Sequence, residues 1–577
     1  MNAMGCRVYN IAPGGDFLHV LAREILLGFP FAQNHREKPP LPNWTILLPT
    51  RRAARILGSI LAENCGRTSL LLPTIKPIGD IDDGRLQDVG TAADIPAAIS
   101  RTGQLFIMLD ILKNWAVQNP QAKIASEIQA SHIQSLGLAD SLLQLVDQME
   151  TGETNLDLLT EAYHVELSDH RTALLNLLGL LKIELPKRLI QENLMGPAAR
   201  RSLLIRLEAD RISQSKLNGP IIAAGSTGTI PATRALLTAI ANHPSGTVVL
   251  PGIDLDMLDK DWDSIGPDHP QFSLQNLIVE MHVERRNIIS LSTGDPNRNL
   301  MSSELMRPSN SAENWHVLLP KRSADMNSAI ENLHFVNAPD RHIEARAIAL
   351  ILRHALETPN QTAALVTPDR DLAQRVKTEL ARWDIVIDDS AGEPLHHYGI
   401  AALATLVLQA LENGLTSADL LALLSHADCT LGMQREEFKK NLRLLEIAVL
   451  RGYSSGIGLG AVKQSLTRAM EAKRNKSHSH ALVSNMSDND WLVLQSFIEN
   501  IIDTLKPLQQ TSLHSGREHV SIFEAVLKKL APEADWTKPE NQNFYAVMEE
   551  LHDQAFRLHP GNFLKVSSLI LHATHEE

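Results

Sequence analysis

Apolar positions along the chain follow two rhythms. Val8, Tyr9 and Ile11 form a short apolar run, Pro13-Gly14-Gly15 breaks it, and a helical pattern continues to about Leu27. Trp44-Thr45-Ile46-Leu47-Leu48 repeats the scheme. Pro49-Thr50 ends that run, and residues 51–64 are predicted helical, with Ala54, Leu57, Ile60 and Leu61 on one face. Strand-turn-helix units of this kind build parallel α/β sheets. From about residue 92 to 215 the rhythm becomes purely helical, as in residues 98–117 and 128–149. Strand character returns at residues 221–224, followed by a turn to Pro231, a helix over 232–241 and a strand over 247–250. A further block predicts strands at 334–336, 363–366 and 385–387, with helices over 340–356 and from 370 to Trp383. Beyond about residue 396 the chain reads as helical again, with residues 473–489 as a solvated loop.

The order is therefore α/β (1–91), helical insertion (92–216), α/β (217–300), second α/β block (301–395) and second helical insertion (396–577). A weak internal echo supports a duplicated plan. Pro49-x-Arg51-x-x-Ala54 and Pro368-x-Arg370-x-x-Ala373 each follow an apolar strand and open a helix.

Composition narrows this picture. A chain of 577 residues implies several domains. With 44% hydrophobic and 21% charged residues it is globular, and aromatics at 4% leave the core to Leu, Ala and Ile. No apolar run reaches the length of a membrane span, and no basic-then-apolar leader opens the chain, so a cytoplasmic, membrane-free setting is expected. Cys6, Cys65 and Cys429 have neither metal-ligand nor disulfide-framework spacing. The net charge of −13 argues against coating nucleic acid with the whole surface, but not against a local basic channel.

The first turn has the layout of a phosphate-binding loop without its chemistry. Such a loop needs G-x-x-x-x-G-K-[ST], the Lys for the terminal phosphates and the Ser/Thr for magnesium. Gly14 and Gly15 retain backbone N–H groups, but Asp16 and Phe17 stand about where Lys and Ser/Thr belong. Exchanging a cation for an anion moves local charge by two units beside a polyanion, a swing of several kcal/mol at an effective dielectric of ~20. The plainer reading is a structural turn with Asp16 near a helix N-cap. A magnesium-holding Asp would end the strand at 221–224, where Ala223 and Ala224 stand instead. No ATPase activity, no catalytic residue and no metal site are therefore expected in this chain.

Thr50, Arg51, Arg52 and Arg55 form the best candidate for contact with a DNA backbone. Arg51 and Arg55 share a helix face and can grip adjacent phosphates. Three cations at a helix N-terminus oppose the helix dipole and call for an anion. Thr367 and Arg370 are the matching pair in the second block, weakened by neighbouring Asp369 and Asp371. Ser226 and Thr227, in a glycine-bearing loop at a strand's carboxyl end, either suit a phosphodiester or simply connect two elements. The segment Lys76-Pro77-Ile78-Gly79-Asp80 reads as DNA contact or loop packing, and packing is the simpler reading. Asp388, Asp389 and Ser390 lack a third ligand for a metal and read as a turn before Gly392. His478 and His480 have no Cys partner and read as solvated.

The stretches YNIAPGGDFLHVLAREIL, TILLPTRRAARIL, LPTIKPIGDIDD, IIAAGSTGTIPATRALLTAIA, GTVVLPGIDLDMLD and TAALVTPDRDLAQRV resemble the AddB family in its alphaproteobacterial form. AddB is the partner subunit of AddAB helicase–nucleases. The resemblance implies an α/β fold of two RecA-like, P-loop-type domains of an inactivated superfamily-one helicase, each with a helical insertion. It implies an AddA motor subunit as partner, with ATP and magnesium used there, and action on single-stranded and double-stranded DNA ends in recombinational repair of double-strand breaks. Family members continue into a C-terminal nuclease domain, some with cysteines for an iron–sulfur cluster. This sequence ends at Glu577, within the expected second insertion, so neither the nuclease site nor the cluster can be located in it. Two functions follow as expectations: a strand-binding and scanning subunit, or a scaffold that stabilises AddA without touching DNA.

Overall fold

The computed structural model describes residues 7–30, 40–65, 71–79, 95–130, 132–155, 169–214, 217, 219–359, 361–390, 392, 394–397, 399–451, 457–475, 481–509 and 515–557. Its centre is a six-stranded parallel sheet in the order β3-β2-β6-β7-β1-β8. The strands are β1 (Val8–Ile11), β2 (Thr45–Leu48), β3 (Thr74–Pro77), β6 (Ile221–Ala224), β7 (Gly246–Pro251) and β8 (Ile289–Ser292). Two short strands, β4 (Ala97–Ala98) and β5 (Leu194–Met195), pair separately where the helical insertion leaves and rejoins the sheet.

Period-2 alternation divides the sheet's side chains between two cores. Ile222, Ala224, Val249, Ile46, Leu48 and Ile11 face helices α1 (Phe17–Leu27) and α2 (Arg51–Asn64). Ile221, Ala223, Val248, Leu250 and Val8 face the helices Pro197–Gln214, Pro231–Asn242 and Phe272–Glu280. Both faces are covered, as an all-parallel sheet requires.

The two helical regions do not stand apart. Phe106, Leu112, Leu143 and Leu185 from the first share one hydrophobic core with Leu403, Phe438, Phe497, Phe523 and Leu551 from the second. Polar contacts tie the same seam. The Thr102 backbone N–H donates to Glu550 at 3.1 Å, and Arg557 pairs with Glu192. The expected helix over 128–149 is two helices, Lys123–Ala130 and His132–Gly152. Within 473–489, the described residues belong largely to helices, Leu459–Arg474, Ala481–Ser484 and Asp488–Gln509, rather than to a solvated loop; His478 and His480 lie outside the described residues.

The second α/β block corrects the sequence reading. Its helices form, as Arg341–Leu356 and Arg370–Ala381, capped by Asp340 and Asp369. The strands expected at 334–336, 363–366 and 385–387 do not: no β-ladder joins them among the described residues. Their alternation is nevertheless real. Leu365, Ile385 and Ile387 pack on the two helices, while Phe335, Val366 and Val386 are 95%, 94% and 93% exposed. An apolar alternating segment becomes a strand only with a backbone partner, and these segments have none among the described residues.

Candidate nucleic-acid interface

The chain crosses one face of the sheet after β1 and β2 and the other face after β6 and β7. Neighbouring strands with opposed connections open crevices at their carboxyl ends. The strand order gives two, between β2 and β6 and between β7 and β1.

Three segments singled out in the sequence converge at this edge. Gly225 follows β6 with φ +80°, and a methyl group built on it would lie 3.3 Å from the Phe17 ring and 3.4 Å from Pro49. The ring of Phe17 also packs on the core beside α1. It therefore fills the space between the first helix and the end of β6, where a phosphate loop leaves room for phosphate and metal. Asp16 caps α1: its carboxylate accepts the His19 backbone N–H at 3.3 Å and pairs with the His19 ring at 2.8 Å. A fixed anion thus already satisfies the helix end. Gly14 has φ +79° and turns the chain, and Gly15 donates a long 3.5 Å bond to the Ala12 carbonyl. β6 ends in buried Ala223 and Ala224, with no carboxylate there.

Arg51, Arg52 and Arg55 are exposed on the first turns of α2. Thr50 caps that helix, its hydroxyl accepting the Ala53 N–H at 3.1 Å. Across the β2–β6 crevice, the Thr227 and Thr229 hydroxyls bond each other at 2.9 Å and Ser226 accepts from the Gly228 N–H at 3.4 Å. In the second block, Thr367 accepts the Asp369 N–H at 3.0 Å. Every candidate hydroxyl oxygen therefore has a local role.

The two basic turns meet through one acidic dipeptide. Arg52 pairs with Asp388. Arg370 grips both carboxylate oxygens of Asp389, at 3.1 and 2.8 Å, and donates to the Gly392 carbonyl at 2.8 Å. The carboxylates of Asp388 and Asp389 face guanidinium groups rather than a third acid, and no cluster of three potential metal ligands occurs among the described residues. Arg55 has no ion pair among the described residues. Ile78 is buried in the sheet core and its N–H continues the ladder to Leu48 at 2.8 Å, in keeping with packing of the Lys76 strand; Asp80 lies outside the described residues.

Sequence reasoning missed Asn10. Its side chain, 1% exposed, accepts the Gly252 and Ile253 N–H groups at 3.1 and 3.0 Å and donates to Ser290 at 2.9 Å. An amide inside an otherwise apolar strand was the available signal. No protein-family model matches the chain, and no curated protein matches it.

Proposed function

We propose that this chain is an AddB-type, non-catalytic subunit of a DNA-end-processing helicase–nuclease. In this reading it has two RecA-like halves, each with a helical insertion. It binds and scans single-stranded DNA from double-strand ends in the cytoplasm while an AddA partner spends ATP and magnesium. The observation that carries the reading is the meeting of the Arg51–Arg55 turn (Arg51, Arg52, Arg55) with the Thr367–Arg370 turn at one edge, joined through Asp388 and Asp389. Cations from two halves then line one path, as a phosphate backbone needs. The Asp16 cap and Phe17 ring support the absence of a motor.

Changing Arg51, Arg52 and Arg55 together to Glu tests it. Single-strand affinity, followed by fluorescence anisotropy at several salt concentrations, is expected to fall, with the log–log salt slope reduced by about 2 at ~0.7 per phosphate contact. The second reading, a scaffold for AddA that leaves DNA alone, is favoured by the neutralisation of Arg52 and Arg370 by carboxylates. It wins if the triple variant binds DNA like the parent while still assembling with AddA.

A further inference from the structure

The other crevice, between β7 and β1, holds a cavity of about 380 Å³ walled by the ends of β1, β7 and β8 and by the helix Pro296–Leu305. That volume lies within the range of about 300–1,000 Å³ typical of small-ligand sites. We propose that it binds a nucleobase presented without a polyphosphate. This inference goes beyond the strand-binding reading and does not depend on it.

The walls are preformed. Asn10 ties β1 to the Gly252-Ile253 backbone and to Ser290. His269 accepts the Gln271 N–H on Nδ1 at 3.1 Å, so its proton sits on Nε2 and donates to the Met306 carbonyl at 2.7 Å. Both ring nitrogens are thereby engaged by backbone groups. Arg307, 5% exposed, binds Asp261 and Glu304, which are 4% and 7% exposed, and so locks the end of the helix Pro296–Leu305 to the segment after β7.

The lining selects the ligand. Ser290, Thr293 and Asn299 give uncharged donors and acceptors, and Pro13, Pro270 and Met306 give flat or compliant apolar surface. Behind that lining, Ser292 Oγ is buried against Gly15 and has no hydrogen-bond partner among the described residues. No Lys or Arg is among the lining residues, whereas Asp254 and Asp256 are. A phosphate or a free carboxylate would face acids without a cation. A sugar would set hydroxyls against proline and methionine. A heteroaromatic base has apolar faces for those surfaces and an edge of donors and acceptors for the hydroxyls and amide. The base can come from a free nucleoside or from a nucleic-acid strand.

Titrating the full chain with 2-aminopurine riboside, followed by its fluorescence, tests the proposal. Saturable binding is expected, with competition by adenosine at least tenfold stronger than by ATP. Ser302→Trp, at an exposed position of the helix Pro296–Leu305 that lines the cavity, is expected to weaken binding at least tenfold with an unchanged circular dichroism spectrum. Asp256→Lys, also exposed, is expected to narrow the gap between adenosine and ATP. An oligonucleotide with terminal 2-aminopurine separates the sources: displacement of its signal by adenosine assigns the site to a strand's base, and binding of the riboside alone assigns it to a free nucleoside. No saturable riboside binding, binding indifferent to Ser302→Trp in a folded variant, or tighter binding of ATP than adenosine overturns the proposal.

Discussion

Asp16 and Phe17 are adjacent in the chain yet close the first turn in different ways. Asp16 supplies a permanent negative charge to the α1 N-terminus, and Phe17 supplies volume against Gly225. Restoring the motif residues with Asp16→Lys and Phe17→Thr removes both obstacles locally but leaves Ala223 and Ala224 at the end of β6. The double variant is expected to release no more phosphate from ATP than the parent, with magnesium and single strands present; turnover well above the parent would contradict the inactive-core reading. Both residues were legible because each occupies a position whose chemistry is fixed by spacing. Asn10 was legible only as an oddity: its partners Gly252 and Ser290 are more than 200 residues away, and nothing local announces them. Asp388 and Asp389 were seen as acids, but their pairing with Arg52 and Arg370 is a product of tertiary structure.

Helices and strands add the constraints that single residues lack. The helix Pro296–Leu305 is held by a buried ion group in which Arg307 neutralises Asp261 and Glu304, with Arg322 also reaching Glu304 at 2.9 Å. Removing the central cation strands buried Asp261 and leaves Glu304 to Arg322 alone, which costs about 3–5 kcal/mol. Arg307→Met is therefore expected to lower the unfolding free energy read from urea titration by that much and to loosen the cavity wall. In the first helical region, burial pushes the Glu150 carboxyl up, opposed by the Ala199 N–H and reinforced by Asp147. A carboxyl raised on folding stabilises the fold below its unfolded value, and that contribution is lost as pH rises through the raised value. Glu150→Gln keeps an acceptor for Ala199 and removes the charge. It is expected to be more stable than the parent at about pH 8, with the difference closing toward about pH 4.5, near the ordinary glutamate value. Urea midpoints across that range check the sign. At this scale β1, β2, β6 and β7 were readable from apolar runs ended by turn residues. β8 was not, because Ile289-Ser290-Leu291-Ser292 is short and edge-lying. The 334–387 block showed the opposite failure: alternation was present, but ladder partners among the described residues were not.

For the molecule as a whole, the meeting of the two basic turns makes Asp388 and Asp389 competitors of any phosphate at that edge. The Arg52–Asp388 pair is solvent-exposed and worth about 0–1 kcal/mol, while in the Arg370 pair Asp389 is partly buried. Asp388→Asn with Asp389→Asn is expected to raise single-strand affinity about two- to tenfold and steepen its salt dependence; unchanged or weaker binding would remove the acids from the strand path. The shared core of the two helical regions reaches further. Leu189 in the first and Leu551 in the second belong to the same cluster, so 362 residues separate them (551 minus 189). At a synthesis rate of about 5–20 residues per second, the emerging first region waits roughly 20–70 s before its partner leaves the ribosome. The parallel sheet, whose last strand ends at Ser292, can close well before then. A nascent chain of this protein therefore carries greasy helices without a mate for most of its translation, which makes it a natural client for chaperones that shield such surfaces.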